Sequence, residues 1–155
     1  MTATPGAAAP AGATPSREAA ADAGGIPPTL ADVALDCGTI ERVLAGARFR
    51  QRGVLAEPEG LALLAAAGLG VPRHVVIESA AACAALPDPP LPGAARVVLK
   101  IVSPEVLHKT EVGGVAVLAN AREAVAEAAR AMAARLPATS LAGFLLAEYV
   151  PHAPG

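Results

Sequence analysis

The run Arg96-Val97-Val98-Leu99-Lys100-Ile101-Val102 constrains this chain more than any other segment. It is too short for a typical helix and rich in β-branched residues, so it reads as a strand. Its nearly continuous apolar character is that of a strand covered on both faces. Lys100 sits in the middle of it. An unpaired ammonium there would cost several kcal/mol, so either something neutralises it or its amine reaches water along its apolar stem.

Lys100 and Lys109 are the two lysines of a 155-residue chain, and every other fixed side-chain cation is an arginine. Both lie in one stretch that continues through Ser103-Pro104, His108-Lys109-Thr110-Glu111 and Gly113-Gly114. Flexible point cations on either side of a histidine, just ahead of a glycine pair, point to an anionic ligand and most directly to a nucleotide phosphate. Gly113 and Gly114 either form a hairpin turn ahead of the next strand or offer backbone that an anion can approach closely, because no Cβ stands in the way. His108 is either a solvated loop histidine or a nucleophile toward phosphorus, with the flanking cations stabilising the phosphoryl group it receives. Neither the Walker A spacing nor the dinucleotide-fold glycine pattern is present.

The hydrophobic fraction is 54%, yet aromatics make up only 2%. The core must therefore be built from Leu, Val and Ile with close alanine contacts. A net charge of −2 with scattered arginines leaves little case for nucleic-acid binding. No apolar run approaches the ~18 residues of a membrane span. Without a signal-peptide pattern, a soluble cytoplasmic protein is the default expectation. Cys37 and Cys83 form no Cys-x-x-Cys pair and read as small core residues. His74, His108 and His152 are not spaced as metal-ligand pairs, so no metal site is assigned.

Residues 1–28 are Ala, Pro, Gly and Thr with few large apolar side chains, the composition of a disordered leader. Residues 29–54 read as a helical extension, helical to about Arg52 with Gly38 as a break. A helix is predicted from Glu57-Pro58-Glu59, where proline suits the first turn and carboxylates suit the positive dipole end. A strand over Val75-Val76-Ile77 follows, then an alanine-rich helix from Ser79 to about Leu86 and a proline-rich surface loop from Pro87 to Gly93. After the lysine and histidine loop come a strand at Val115-Ala116-Val117-Leu118 and a helix capped by Asn120 and Glu123. Val125, Ala128, Ala129 and Met132 form its buried stripe. Gly143 to Val150 makes the last strand. This order describes an α/β unit.

Taken together, Leu99-Lys100-Ile101-Val102-Ser103-Pro104, His108-Lys109-Thr110-Glu111-Val112-Gly113-Gly114-Val115, Glu57-Pro58-Glu59 and Phe144-Leu145-Leu146-Ala147-Glu148-Tyr149-Val150 resemble the ATP-grasp domain of NDP-forming acyl-CoA synthetases. The ADP-forming acetate-CoA ligases are the best-known members. The resemblance spans 55–155 and implies the first ATP-grasp lobe, ending just past the hinge strand. It implies that Lys100 holds nucleotide phosphates and that the loop from Lys109 through Gly113 and Gly114 covers them. By the same resemblance, the backbone of Glu148, Tyr149 and Val150 meets the adenine edge, and His108 accepts a phosphoryl group passing between the nucleotide and a histidine on the CoA-binding part.

ATP or ADP is the implied cofactor, with Mg2+ ligands expected in a second lobe. The implied partners are that second lobe and the CoA-binding and ligase domains or subunit; the isolated chain is expected to be inactive. A non-catalytic nucleotide-sensing or scaffold lobe, or a truncated inactive fragment, is the alternative.

Overall fold

In the computed structural model the described residues are 34–104, 106, 108–137 and 140–151. The expected leader over 1–28 lies outside them, as does His152. Four strands, β1 (His74–Ile77), β2 (Arg96–Val102), β3 (Val115–Ala119) and β4 (Gly143–Glu148), form one sheet in the order β1-β4-β2-β3. Every pairing is antiparallel, with Lys100 opposite Val115 on one side and Leu145 on the other. Helices α1 (Cys37–Phe49) and α2 (Glu57–Ala66) precede the sheet, while α3 (Ala80–Cys83) and α4 (Arg122–Ala133) lie between strands.

Strand β2 departs from the expectation of equal cover on both faces because the core built with α3 and α4 lies on one of them. Its burial alternates as far as Ile101: Val97, Leu99 and Ile101 are fully buried and Val98 and Lys100 only partly so, before Val102 is buried again at the strand end. Side chains alternate across a pleated strand, so these two sets point to opposite faces. The first set joins Phe144 and Leu146 of β4, Val125, Ala129 and Met132 of α4, and Cys83 of α3 in one core. The second faces a more open side, on which Leu145 and Ala147 are still buried while Val76 and Val117 are exposed.

Several predicted boundaries move for identifiable reasons. Helix α1 begins at Cys37 because the Asp36 carboxylate accepts from the Thr39 amide (3.0 Å) and the Thr39 hydroxyl (2.6 Å). Gly38 therefore lies in the first turn instead of breaking the helix. Helix α2 starts at Glu57 as predicted, with Glu59 reaching back to accept from the Ala56 amide at 2.8 Å. Helix α3 is a single turn capped by Ser79, shorter than predicted. Cys83 is buried, and burial raises its thiol pKa; Cys37 is exposed and is not a core residue.

Asn120 does not cap α4. Its side chain accepts from the Leu91 amide (3.1 Å) and donates to the Leu91 (2.6 Å) and Ala94 (2.8 Å) carbonyls, pinning the proline-rich loop. The cap comes from that loop, where the Asp88 carboxylate accepts from the Arg122 amide at 3.1 Å. Leu91 is buried as a result, so the loop contributes to the core. The buried stripe of α4 is Val125, Ala126, Ala129 and Met132, with Ala128 partly buried beside it.

Asn120→Ala removes three hydrogen bonds and strips partners from backbone groups beneath the loop. A loss of about 1–3 kcal/mol is expected, read as a lower urea midpoint with an unchanged slope.

Candidate functional site

The alternation of β2 decides where its lysine goes. Lys100 leaves the helix-covered face and reaches the N-terminus of α2, where its Nζ donates to Glu57 Oε1 at 2.5 Å. The other oxygen, Glu57 Oε2, accepts from Lys109 Nζ at 3.1 Å. The charge in the apolar strand is thus neutralised within the protein by a carboxylate that lies 43 positions upstream. Of the two ways the sequence left open, an internal partner meets Lys100, and its side chain keeps 31% exposure beside that partner. The signal that could have found Glu57 was the demand for a counter-charge combined with an acidic first turn, a place where a carboxylate is also favoured by the helix dipole.

Partial burial by itself would raise the Glu57 pKa. The hydrogen bonds and positive charge of Lys100 and Lys109 outweigh that effect and hold the carboxyl below its ordinary value of 4.5. The three side chains are 29%, 31% and 19% exposed for Glu57, Lys100 and Lys109, open enough to meet a ligand. Together with His108, Thr110, Glu111 and Val115 they line a cavity of about 440 Å³. His108 is exposed at its rim, and its ring has no hydrogen-bond partner among the described residues. The two lysines and the histidine singled out from sequence therefore share one cavity.

Residues 103–114 connect the adjacent antiparallel strands β2 and β3, and the glycines shape this connection. Gly113 adopts φ +65°, a left-handed conformation suited to glycine. A Cβ on Gly114 would stand 2.5 Å from Ile101 Cδ1, so the backbone packs directly on a core side chain. The Gly113 amide donates to the Thr110 carbonyl (3.1 Å) and the Gly114 amide to the Lys109 carbonyl (2.7 Å). Both amides are spent inside the loop. The glycines set the path of the chain that carries Lys109.

The predicted hinge residues lie along the same sheet. Glu148 is opposite Val97, three positions from the Leu145 that faces Lys100, or about 10 Å at the usual strand rise. The Glu148 carboxylate pairs with Arg73, from Nε at 3.0 Å and Nη2 at 3.2 Å, and Arg73 also donates to the Pro92 carbonyl. The amides of Glu148 and Tyr149 donate to the Arg73 and Arg96 carbonyls at 2.8 and 3.0 Å. Arg96 lies over the Tyr149 ring, 5.4 Å from its centroid. Val150 is exposed beyond the end of β4.

No group of three or more His, Cys, Asp or Glu residues among the described residues could hold a metal ion. Glu57, the best-placed carboxylate, is already engaged by two ammonium groups. The side chains described here do not fit a magnesium site. No helix among the described residues is long and apolar enough to cross a membrane.

The profile of a family described as the ATP-grasp domain matches residues 46–154. The chain belongs to the ATP-grasp family. It is similar in structure to Ca. Korarchaeum cryptofilum ACD1 in complex with coenzyme A, with 28% identity, a TM-score of 0.60, and coverage of 73% of this chain and 49% of that one. A dinucleotide-forming acetyl-coenzyme A synthetase 1 from the same organism, in complex with coenzyme A, Ca-AMPCP and HgCl+, gives 28% identity and a TM-score of 0.60 over 72% of this chain and 49% of that one. PH1788 from Pyrococcus horikoshii Ot3 shares the fold at 21% identity and a TM-score of 0.57, over 74% and 49% of the two chains.

No curated protein matches the sequence. The chain spans about half the length of the structures it resembles. The resemblance to the ATP-grasp domain of ADP-forming acyl-CoA synthetases, expected from the motifs, stands.

Because the Glu57 pKa is lowered on folding, the contribution of its ion pairs is complete above about pH 4.5. It is lost as pH falls through the depressed folded value. Wild type is expected to exceed Glu57→Gln in stability by about 1 kcal/mol at pH 7. The gap should shrink toward zero as urea midpoints are followed below pH 4.5.

Proposed function

We propose that this chain is the phosphate-binding part of an ATP-grasp nucleotide site in an ADP-forming acyl-CoA synthetase, where ADP and ATP exchange a phosphoryl group with His108. The observation that carries this reading is the convergence of Lys100, Lys109 and His108 on one cavity. The two amines neutralise the phosphate oxygens. A ring nitrogen of His108 forms a P–N bond as the bond from phosphorus to the donor breaks; in the opposite direction a terminal ADP oxygen attacks phosphorus and the P–N bond breaks.

Splitting the transfer into two histidine steps suits an enzyme whose acyl phosphate and nucleotide occupy separate sites. The proposed donor or acceptor on the far side is a histidine of a CoA-binding partner. Such a partner is in keeping with the coenzyme A bound to the similar structures. The adenine is proposed to meet the sheet at the end of β4. There Val150 can offer its backbone, the Glu148 and Tyr149 amides being used within the sheet. Gly113 and Gly114 shape the covering loop, and Mg2+ ligands are proposed to come from a second lobe. By this reading residues 55–155 form the first lobe, 29–54 a helical extension and 1–28 a leader, and the protein works in the cytoplasm.

Two measurements test the proposal. Calorimetry on the chain should show ADP affinity falling about 10-fold or more in Lys100→Ala, the loss of a charge-assisted contact; unchanged affinity removes Lys100 from the site. In the holoenzyme, labelling with γ-phosphate-labelled ATP should give an acid-labile phosphohistidine that disappears in His108→Ala. Nucleotide binding without any such label would favour the sensing or scaffold role instead.

A further inference from the structure

Glu57 has no part in the transfer chemistry just described, yet it is the residue on which the two lysines meet. Its two oxygens take different amines, one from strand β2 and one from the 103–114 loop. Among the described residues these are the ion pairs that join the α1 and α2 helices to the sheet and its loop; the other ion pairs of those helices, from Arg50 and Arg52 to Glu59, stay within that part of the chain. Glu57 and Lys109 also line a second cavity of about 500 Å³, formed with Arg52, Val54, Ser103 and Val106. Glu57 and Lys109 are thus shared by the two cavities, while Lys100 lines the first alone.

An ammonium carries three donors. Each lysine commits one of them to Glu57, which leaves two on each amine for ligand oxygens. Two ammonium groups drawn to one point repel each other, and a carboxylate between them offsets that repulsion. Each four-carbon stem is also flexible, so tying both amines down in advance removes ordering that a ligand would otherwise have to impose. Glu111, the other acid of the cavity, is exposed and joins no ion pair among the described residues.

We propose that Glu57 is a positioning residue that yokes Lys100 and Lys109 into one anion-binding unit, so that both amines receive the terminal phosphate of a nucleoside diphosphate together. The inference rests on the reading of this cavity as the phosphate site. Glu57 itself touches no ligand.

The scarcity of lysine supplies the probe. Labelling lysine at Cε gives two side-chain NMR signals in the full chain. Titrating wild type with ADP should shift both, which places both amines at the binding site. In Glu57→Gln, ADP affinity by calorimetry should drop about 10-fold, and Lys109→Ala should cost much less in that background than in wild type, the mark of coupled groups. Affinity that stays equal or tightens in Glu57→Gln, or additive losses, would overturn the proposal, because Glu57 would then be a competitor of phosphate or a bystander.

Should Glu57→Gln fail to fold by circular dichroism, the cycle of Lys100→Ala, Lys109→Ala and the double variant decides: losses of ADP affinity that add refute the yoke, and a double loss smaller than their sum upholds it. If wild type, Lys100→Ala and Glu57→Gln all fail to bind ADP, the phosphate-site reading fails and the yoke falls with it; normal binding that Lys100→Ala loses and Glu57→Gln keeps defeats the yoke alone.

Discussion

A positive charge placed in the most apolar strand of a protein has to be answered, and here the answer organises the site. Lys100 is compatible with β2 because Glu57 stands 2.5 Å from its amine, and the same carboxylate brings in Lys109 from a loop. One side chain at a helix start therefore joins a helix, a strand and a connection between strands. Replacing it with a neutral group would leave two partly buried amines facing each other, which is costly even though each retains some solvent.

The remainder of the fold prepares that meeting. Strand β2 keeps Val97, Leu99 and Ile101 in the dry core and turns Lys100 to the opposite face. Gly114 lets the loop pass against Ile101 with no room for a side chain, which fixes the path of the chain that carries Lys109. Packing on one face of the sheet thus sets the position of charge on the other. Arg73, paired with Glu148 and donating to Pro92, does the same for the far end of β4 by tying it to β1 and the proline-rich loop.

Much of this was legible in the residues. The strand over Arg96–Val102, the start of α2 at Glu57 and the stripe of Val125, Ala129 and Met132 follow from periodicity and capping chemistry, which are local signals. The rarity of lysine marked the site. What stayed hidden was long-range. Asn120 has the right spacing for a helix cap, but its amide is taken by a loop 29 residues upstream and Asp88 caps in its place. Glu57 looked like a dipole-favoured helix start, because nothing local says which distant amine it will meet. Equal cover of β2 was expected from its apolar run, but α3 and α4 pack on one of its faces, and helix packing between distant segments is not written in a local run.

The strand order carries a consequence for how the chain acquires its shape. Strand β4 comes last in sequence, yet it sits between β1 and β2, so β1 and the β2–β3 hairpin share no ladder until residues 143–148 arrive. During synthesis from the N-terminus, the sheet cannot close before its final strand has left the ribosome. Such late, non-local pairing is intrinsically slow. Strand β4 is thus the piece that joins the sheet, and a nascent chain that has not yet delivered it holds two unjoined halves.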